Sequence, residues 1–155
     1  AGFHYPLHLG VTEAGDGDLE AAAIDSLKRL KAARKKFPGL GHPQHSAGDP
    51  RADRLLAIAD ELGISGRYIR TLRLLGQHAP GIMDRPLPIN VSGAIPAAIL
   101  DAGWPLGAIK AVPLLARTAG LSAHLLEESL RSIGFILSHK ADLAIAYDGK
   151  TADKK

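Results

Sequence analysis

The chain has 155 residues, of which 46% are apolar and only 5% aromatic, with no cysteine and a net charge of +3. One domain with an arm fits that length, and a core drawn from Leu, Ile, Val and Ala suits packed helices better than a β-sandwich. Disulfides and thiolate metal sites are excluded, no apolar run approaches the roughly 20 residues of a membrane span, and with no signal peptide in view a cytoplasmic all-α protein is expected.

Residues 1–17 read as an extended N-terminal arm ended by Gly15 and Gly17. His4 and His8 flank Pro6, which keeps them off a shared helical face, so no metal site is assigned. Tyr5 to Gly15 resembles a strand of an iron–sulfur family of isoprenoid synthesis but carries none of its cysteines, and it is read as a chance likeness or a foreign leader. A helix is predicted over Asp18–Phe37, with Asp18 as N-cap, Glu20 in the first turn and Ala23, Ile24, Leu27, Leu30 and Ala33 as its apolar stripe. Lys28, Arg29, Lys31, Arg34, Lys35 and Lys36 fall in its last turns. Such a run binds nucleic acid in some proteins, but no aromatic residue interleaves it here, so a solvated face is expected and nucleic acid is not an expected partner.

Phe37 to Ala52 stays out of regular structure because three glycines and three prolines punctuate it. Gly39 and Gly41 permit tight turns and a close approach to a ligand. His42, His45 and Arg51 sit on this stiffened loop, two imidazoles and a guanidinium suited to an anion or a carbonyl; a plain connector with solvated histidines is the other reading. Asp49 then caps a helix over Pro50–Leu62, with Leu55, Leu56, Ala59 and Leu62 inward and Gly63 at its end. A further helix over Ser65–Gln77 turns Ile69, Leu72 and Leu75 inward and Arg67, Arg70 and Arg73 to solvent. Residues 79–88 read as a proline-rich loop, and an apolar helix follows up to Asp101. Leu106–Leu130 is the longest helical stretch, kinked or split at Pro113; it carries Arg117 and His124 near one face. Apolar neighbours surround Arg117, so its guanidinium needs a carboxylate partner. Ser132–Leu137 leads into a second, less regular segment, and a tail begins at Tyr147.

Gly39-Leu40-Gly41-His42-Pro43-Gln44-His45 with Asp49-Pro50-Arg51-Ala52 resembles the Gly-Phe-Gly-His…Asp-Pro-Arg-Ala segment of the citrate synthase superfamily, in its citryl-CoA lyase-like branch. Pro88-Ile89-Asn90-Val91-Ser92 resembles that family's Asn-Val-Asp segment. Leu115 to His124 resembles its Ala-Arg-Thr-x-Gly-x-x-Ala-His helix, and Arg131-Ser132-Ile133-Gly134 its Arg-Pro-Ile-Gly. Four segments in the right order imply the helical small domain, here over residues 18–146. They also imply carbon–carbon cleavage or formation between acetyl-CoA and oxaloacetate, with coenzyme A as thioester substrate and no metal. By this resemblance His42 meets the carbonyl or hydroxyl of the oxaloacetate or citryl unit, and Arg51 and Arg117 clamp its carboxylates. Arg131 reaches a partner subunit's site, Gly39, Leu40 and Gly41 lie against coenzyme A, and His45 supports.

Two departures follow from the same comparison. Ser92 stands where the family has its catalytic Asp, and a serine is no unaided general base; Asp101 is nearly three turns away. The family's large domain, with its thioester-polarising histidine, has no counterpart in residues 1–33. The expectation is therefore a citryl-CoA lyase-like small domain inactive alone, acting as a homo-oligomer or with a large-domain partner chain. A non-catalytic module that binds coenzyme A or a carboxylate is the alternative.

Overall fold

The computed structural model describes residues 18–146 and residue 149. The arm expected over 1–17, with His4 and His8, and the tail from Tyr147 apart from Gly149 lie outside the described residues. The expected all-α class is borne out: six α-helices are present, and no strand occurs among the described residues. They are α1 (Leu19–Ala32), α2 (Pro50–Glu61), α3 (Arg67–Met83), α4 (Val91–Asp101), α5 (Ala111–Leu130) and α6 (Gly134–Ala144), with a 3-10 helix over Leu106–Lys110 ahead of α5. The chain divides after Pro113 into two compact units.

In the first unit α3 is the central helix. Its apolar residues recur at helical spacing, so one stripe serves two clusters in turn. Ile69 and Leu72 pack with Ala52, Leu56 and Ala59 of α2 and Ala94, Ala97 and Ala98 of α4. Leu75 and Ala79 pack with Leu19, Ala23 and Leu27 of α1 and with Phe37, Leu40 and Leu87 from the loops. The small residues on α2 and α4 let these two helices lie close together. The buried Thr71 hydroxyl donates to the Arg67 carbonyl, so it costs the core no unpaired polar group.

Four details differ from the sequence reading. Helix α1 stops at Ala32 rather than Phe37, with Arg34 at φ 51°. The chain has to leave the helix there for Phe37 and Leu40, each 7% exposed, to enter the core. The late basic residues thus lie on a connector. Helix α3 continues through Pro80 to Met83, because Ala79, Ile82 and Met83 extend its packed stripe; Asp84 ends it at φ 54°. Leu62, expected inward, is 68% exposed. The stretch expected as one helix over Leu106–Leu130 is divided into the 3-10 helix and α5, and Pro113 is the third residue of α5, in its first turn, where the missing N–H leaves no helical bond unmade.

The second unit holds most of α5 and all of α6. Neither helix buries a residue. Glu128 closes the N-terminus of α6, accepting from the Ile133 and Gly134 amides at 3.0 Å each and from the Ser132 hydroxyl at 2.7 Å. These bonds hold its carboxyl below the usual range, the Ile133 amide foremost. No described helix is long and apolar enough to cross a membrane.

Candidate functional site

The loop after α1 is moored to the segment entering α4. Leu40 and Ile89 form an isolated antiparallel bridge. The Gly41 amide donates to the Pro88 carbonyl at 2.7 Å and the Asn90 amide to the Gly39 carbonyl at 3.0 Å. The Asn90 side chain donates to the Gly41 carbonyl at 2.6 Å, while its oxygen accepts from the Gly93 amide at 3.2 Å as the N-cap of α4. Gly39 adopts φ 91°, a conformation open to glycine, and a Cβ there would sit 3.0 Å from the Gly93 Cα. Loop and helix therefore meet glycine to glycine, with their facing backbone groups paired to each other.

This mooring presents His42. Its Nδ1 accepts from the Gln44 amide at 3.1 Å and the His45 amide at 3.2 Å, which places the ring proton on Nε2. Nε2 lies 3.4 Å from Nη2 of Arg51. Both are then donors, so the pair does not satisfy itself, and the two converge where an acceptor would sit. The His45 ring stacks at 4.5 Å, tilted 41°, beside His42. Pro43 and the turn through Gly48, whose amide donates to the His45 carbonyl at 3.3 Å, close the loop.

Arg51 is held from below by Asp49, which is fully buried. One Asp49 oxygen accepts from the Arg51 amide at 3.1 Å and from its Nε at 2.9 Å. The other accepts from Arg51 Nη2 and from the Val91 amide, both at 2.9 Å. The Arg51 side-chain bonds hold the Asp49 carboxyl far below the usual carboxylate range; the Val91 and Arg51 amides add to this against the opposing cost of burial. Asp49 in turn raises Arg51 above its ordinary value. The sequence reading saw Asp49 only as a helix cap. Its second partner, Val91, is 42 residues away, a separation no local pattern reveals. Asn90 was missed too, although an Asn just before an apolar helix is itself an N-cap signal.

Beside the loop an apolar cleft of about 530 Å³ is lined by Ser46, Ala47, Pro80, Pro86 and Leu87, with Arg85. Ser92 is exposed in the first turn of α4, next to Gly93. Asp101 is committed elsewhere: it accepts from the Gly66, Tyr68 and Ile69 amides at 2.8–3.0 Å, closing the N-terminus of α3. His42, His45, Arg51 and Gly39–Gly41 are thus brought together in the first unit. Arg117, on α5, and Arg131, just past its end, belong to the second unit and are both exposed. Among the described residues no group of three or more His, Asp or Glu could hold a metal ion.

The family model described as citrate synthase, C-terminal domain, matches residues 6–135. A solved structure of citryl-CoA lyase from Hydrogenobacter thermophilus is similar, with a TM-score of 0.72 and 25% identity, over 96% of this chain and 56% of that one. The chain thus spans little more than half the length of that enzyme. No curated protein sequence matches it.

Proposed function

Because the chain belongs to the citrate synthase family, through its C-terminal domain, we propose that it is the substrate-binding small domain of a citryl-CoA lyase-like activity and works with a large domain. The observation that carries this reading is the convergence of two donors, His42 Nε2–H and the Arg51 guanidinium, 3.4 Å apart. A carboxylate of an oxaloacetate or citryl unit takes the guanidinium, whose planar, permanently charged face matches it. The adjacent carbonyl or hydroxyl oxygen takes the imidazole N–H, and charge developing on that oxygen is stabilised there. The family resemblance makes Arg117 and Arg131, both in the second unit, carboxylate ligands in their own right, Arg131 at a partner subunit's site. Of the three residues expected against coenzyme A, Gly41 is partly exposed and meets it, Gly39 and Leu40 are buried and hold the loop from behind, and the neighbouring cleft, apolar with Arg85 in its lining, has room for the nucleotide end.

Chemistry needs one more group. Removing or returning the proton on the acetyl methyl calls for a base, and among the described residues no acidic or imidazole side chain hydrogen-bonds Ser92 to make it one. Asp101 is occupied as a helix cap. This favours a second reading in which the chain binds coenzyme A or a carboxylate without turning it over.

Calorimetry of the chain with citrate, oxaloacetate and coenzyme A tests the reading. Citrate or oxaloacetate should bind, and Arg51→Met and Arg117→Ala should each weaken it about tenfold or more, the scale of a lost charged hydrogen bond. No binding to wild type overturns the reading. Cleavage of citryl-CoA is expected only when a large-domain chain is added. Turnover by this chain alone would overturn the division of labour, and none in either case would leave the binding module.

A further inference from the structure

We propose that Asp49 is a positioning residue: by engaging the Nε–Nη2 edge of Arg51 it turns the remaining Nη1–Nη2 edge, beside His42 Nε2, to the incoming carboxylate. The ligand's identity rests on the function proposed above; the orientation of Arg51 does not.

A cap alone does not explain Asp49. The Asp-Pro-Arg helix start needs one acceptor for the Arg51 amide, and Ser, Thr or Asn would provide it. Instead a full carboxylate is buried at 0% exposure, a costly arrangement unless every lone pair is used. Each of its oxygens accepts two bonds, three of the four from Arg51 itself and the fourth from Val91. Arg51 is meanwhile half exposed, its side chain at 53%. An exposed arginine normally samples many rotamers, and ordering it on ligand binding costs entropy. Asp49 removes that cost in advance. It also sets which edge is left: the side-on edge is filled, so a ligand meets the end-on pair, of which Nη2 lies 3.4 Å from the imidazole nitrogen. The bond to the Val91 amide ties this arrangement to the first turn of α4, so the two walls of the site move together.

The test uses the full chain without ligand and 1H–15N spectra of arginine Nε–H groups, the Arg51 signal being identified by its loss in Arg51→Lys. In wild type this proton should exchange at least about tenfold more slowly than that of the exposed Arg70, as a charge-assisted bond to a buried carboxylate implies. In Asp49→Asn, and in Asp49→Ser, which keeps only the cap, the protection should be lost while thermal unfolding stays cooperative. Citrate affinity should fall about tenfold in Asp49→Asn on the wild-type background and less than about twofold on the Arg51→Lys background. Fast exchange of Arg51 in wild type overturns the proposal, even if neither Asp49 variant folds. So does unchanged exchange in Asp49→Asn, or an equal loss of affinity on both backgrounds, which would mark a general structural role. Slow exchange in a wild type that ignores citrate supports the held guanidinium and overturns the carboxylate reading instead.

Discussion

At the scale of single residues, the site depends on what is absent as much as on what is present. A Cβ on Gly93 would lie 2.8 Å from the Gly39 carbonyl oxygen and 3.1 Å from a Leu72 methyl. In an isolated helix Gly→Ala is favourable by about 1 kcal/mol. Here the sign reverses, since neither a paired backbone nor a core leucine gives way cheaply. Gly93→Ala should destabilise by about 1–3 kcal/mol in urea unfolding and weaken citrate binding by displacing the His42 loop. Asp49 gives a pH dependence. Its carboxyl is depressed in the folded chain, so its contribution to stability is complete above the unfolded value of about 3.9 and is lost as pH falls below it. The urea midpoint should begin to drop near about pH 5 and keep falling below about pH 3, and less steeply in Asp49→Asn. Gly39, His42 and Arg51 could be picked out from residue types and spacing. The role of Asp49 could not, because a cap and a guanidinium clamp begin with the same Asp-Pro-Arg.

At the scale of elements, helix ends are decided by partners distant in sequence. Gly66 precedes α3 without a side chain of its own to cap it, and the carboxylate comes from Asp101 at the far end of α4. A Cβ on Gly66 would fall 2.7 Å from that carboxylate, so the glycine makes room for its own cap. Asp101→Ala leaves three amides without this acceptor and should cost about 1–3 kcal/mol, read as a lower unfolding midpoint with the helical spectrum retained at low temperature. The interiors of α2, α3 and α4 were readable from apolar periodicity. The C-terminal ends of α1 and α3 were not: Phe37 and Ile82 are placed by packing, and that overrides both the helix-favouring basic run and the local penalty of Pro80.

At the scale of the whole molecule, the two units differ in kind. The first buries its apolar stripes. The second shows Leu121, Leu125, Leu126, Leu130, Ile136 and Leu137 more than half exposed, and Phe135 at 89%. An apolar surface of this extent marks an interaction face. The chain should sediment as larger species as its concentration rises, and Leu125→Glu combined with Phe135→Glu should return it to monomer. A strictly monomeric wild type at high concentration would contradict this. The same face is where a large-domain chain, if it restores turnover, should suppress the self-association.

The all-α class, the order of the helices, the family and the residues gathered in the His42 loop are all written in local patterns: periodicity, caps, glycine and proline, and four ordered motifs. These follow from interactions between neighbours in the chain, which a sequence displays directly. The anchoring of Arg51 and Asp49 to α4, the glycine-to-glycine contact and the true ends of α1 and α3 depend on Val91, Asn90, Gly93 and Leu75 coming from other parts of the chain. Only the packed fold brings those groups within hydrogen-bonding and van der Waals range, so only the tertiary structure could decide them.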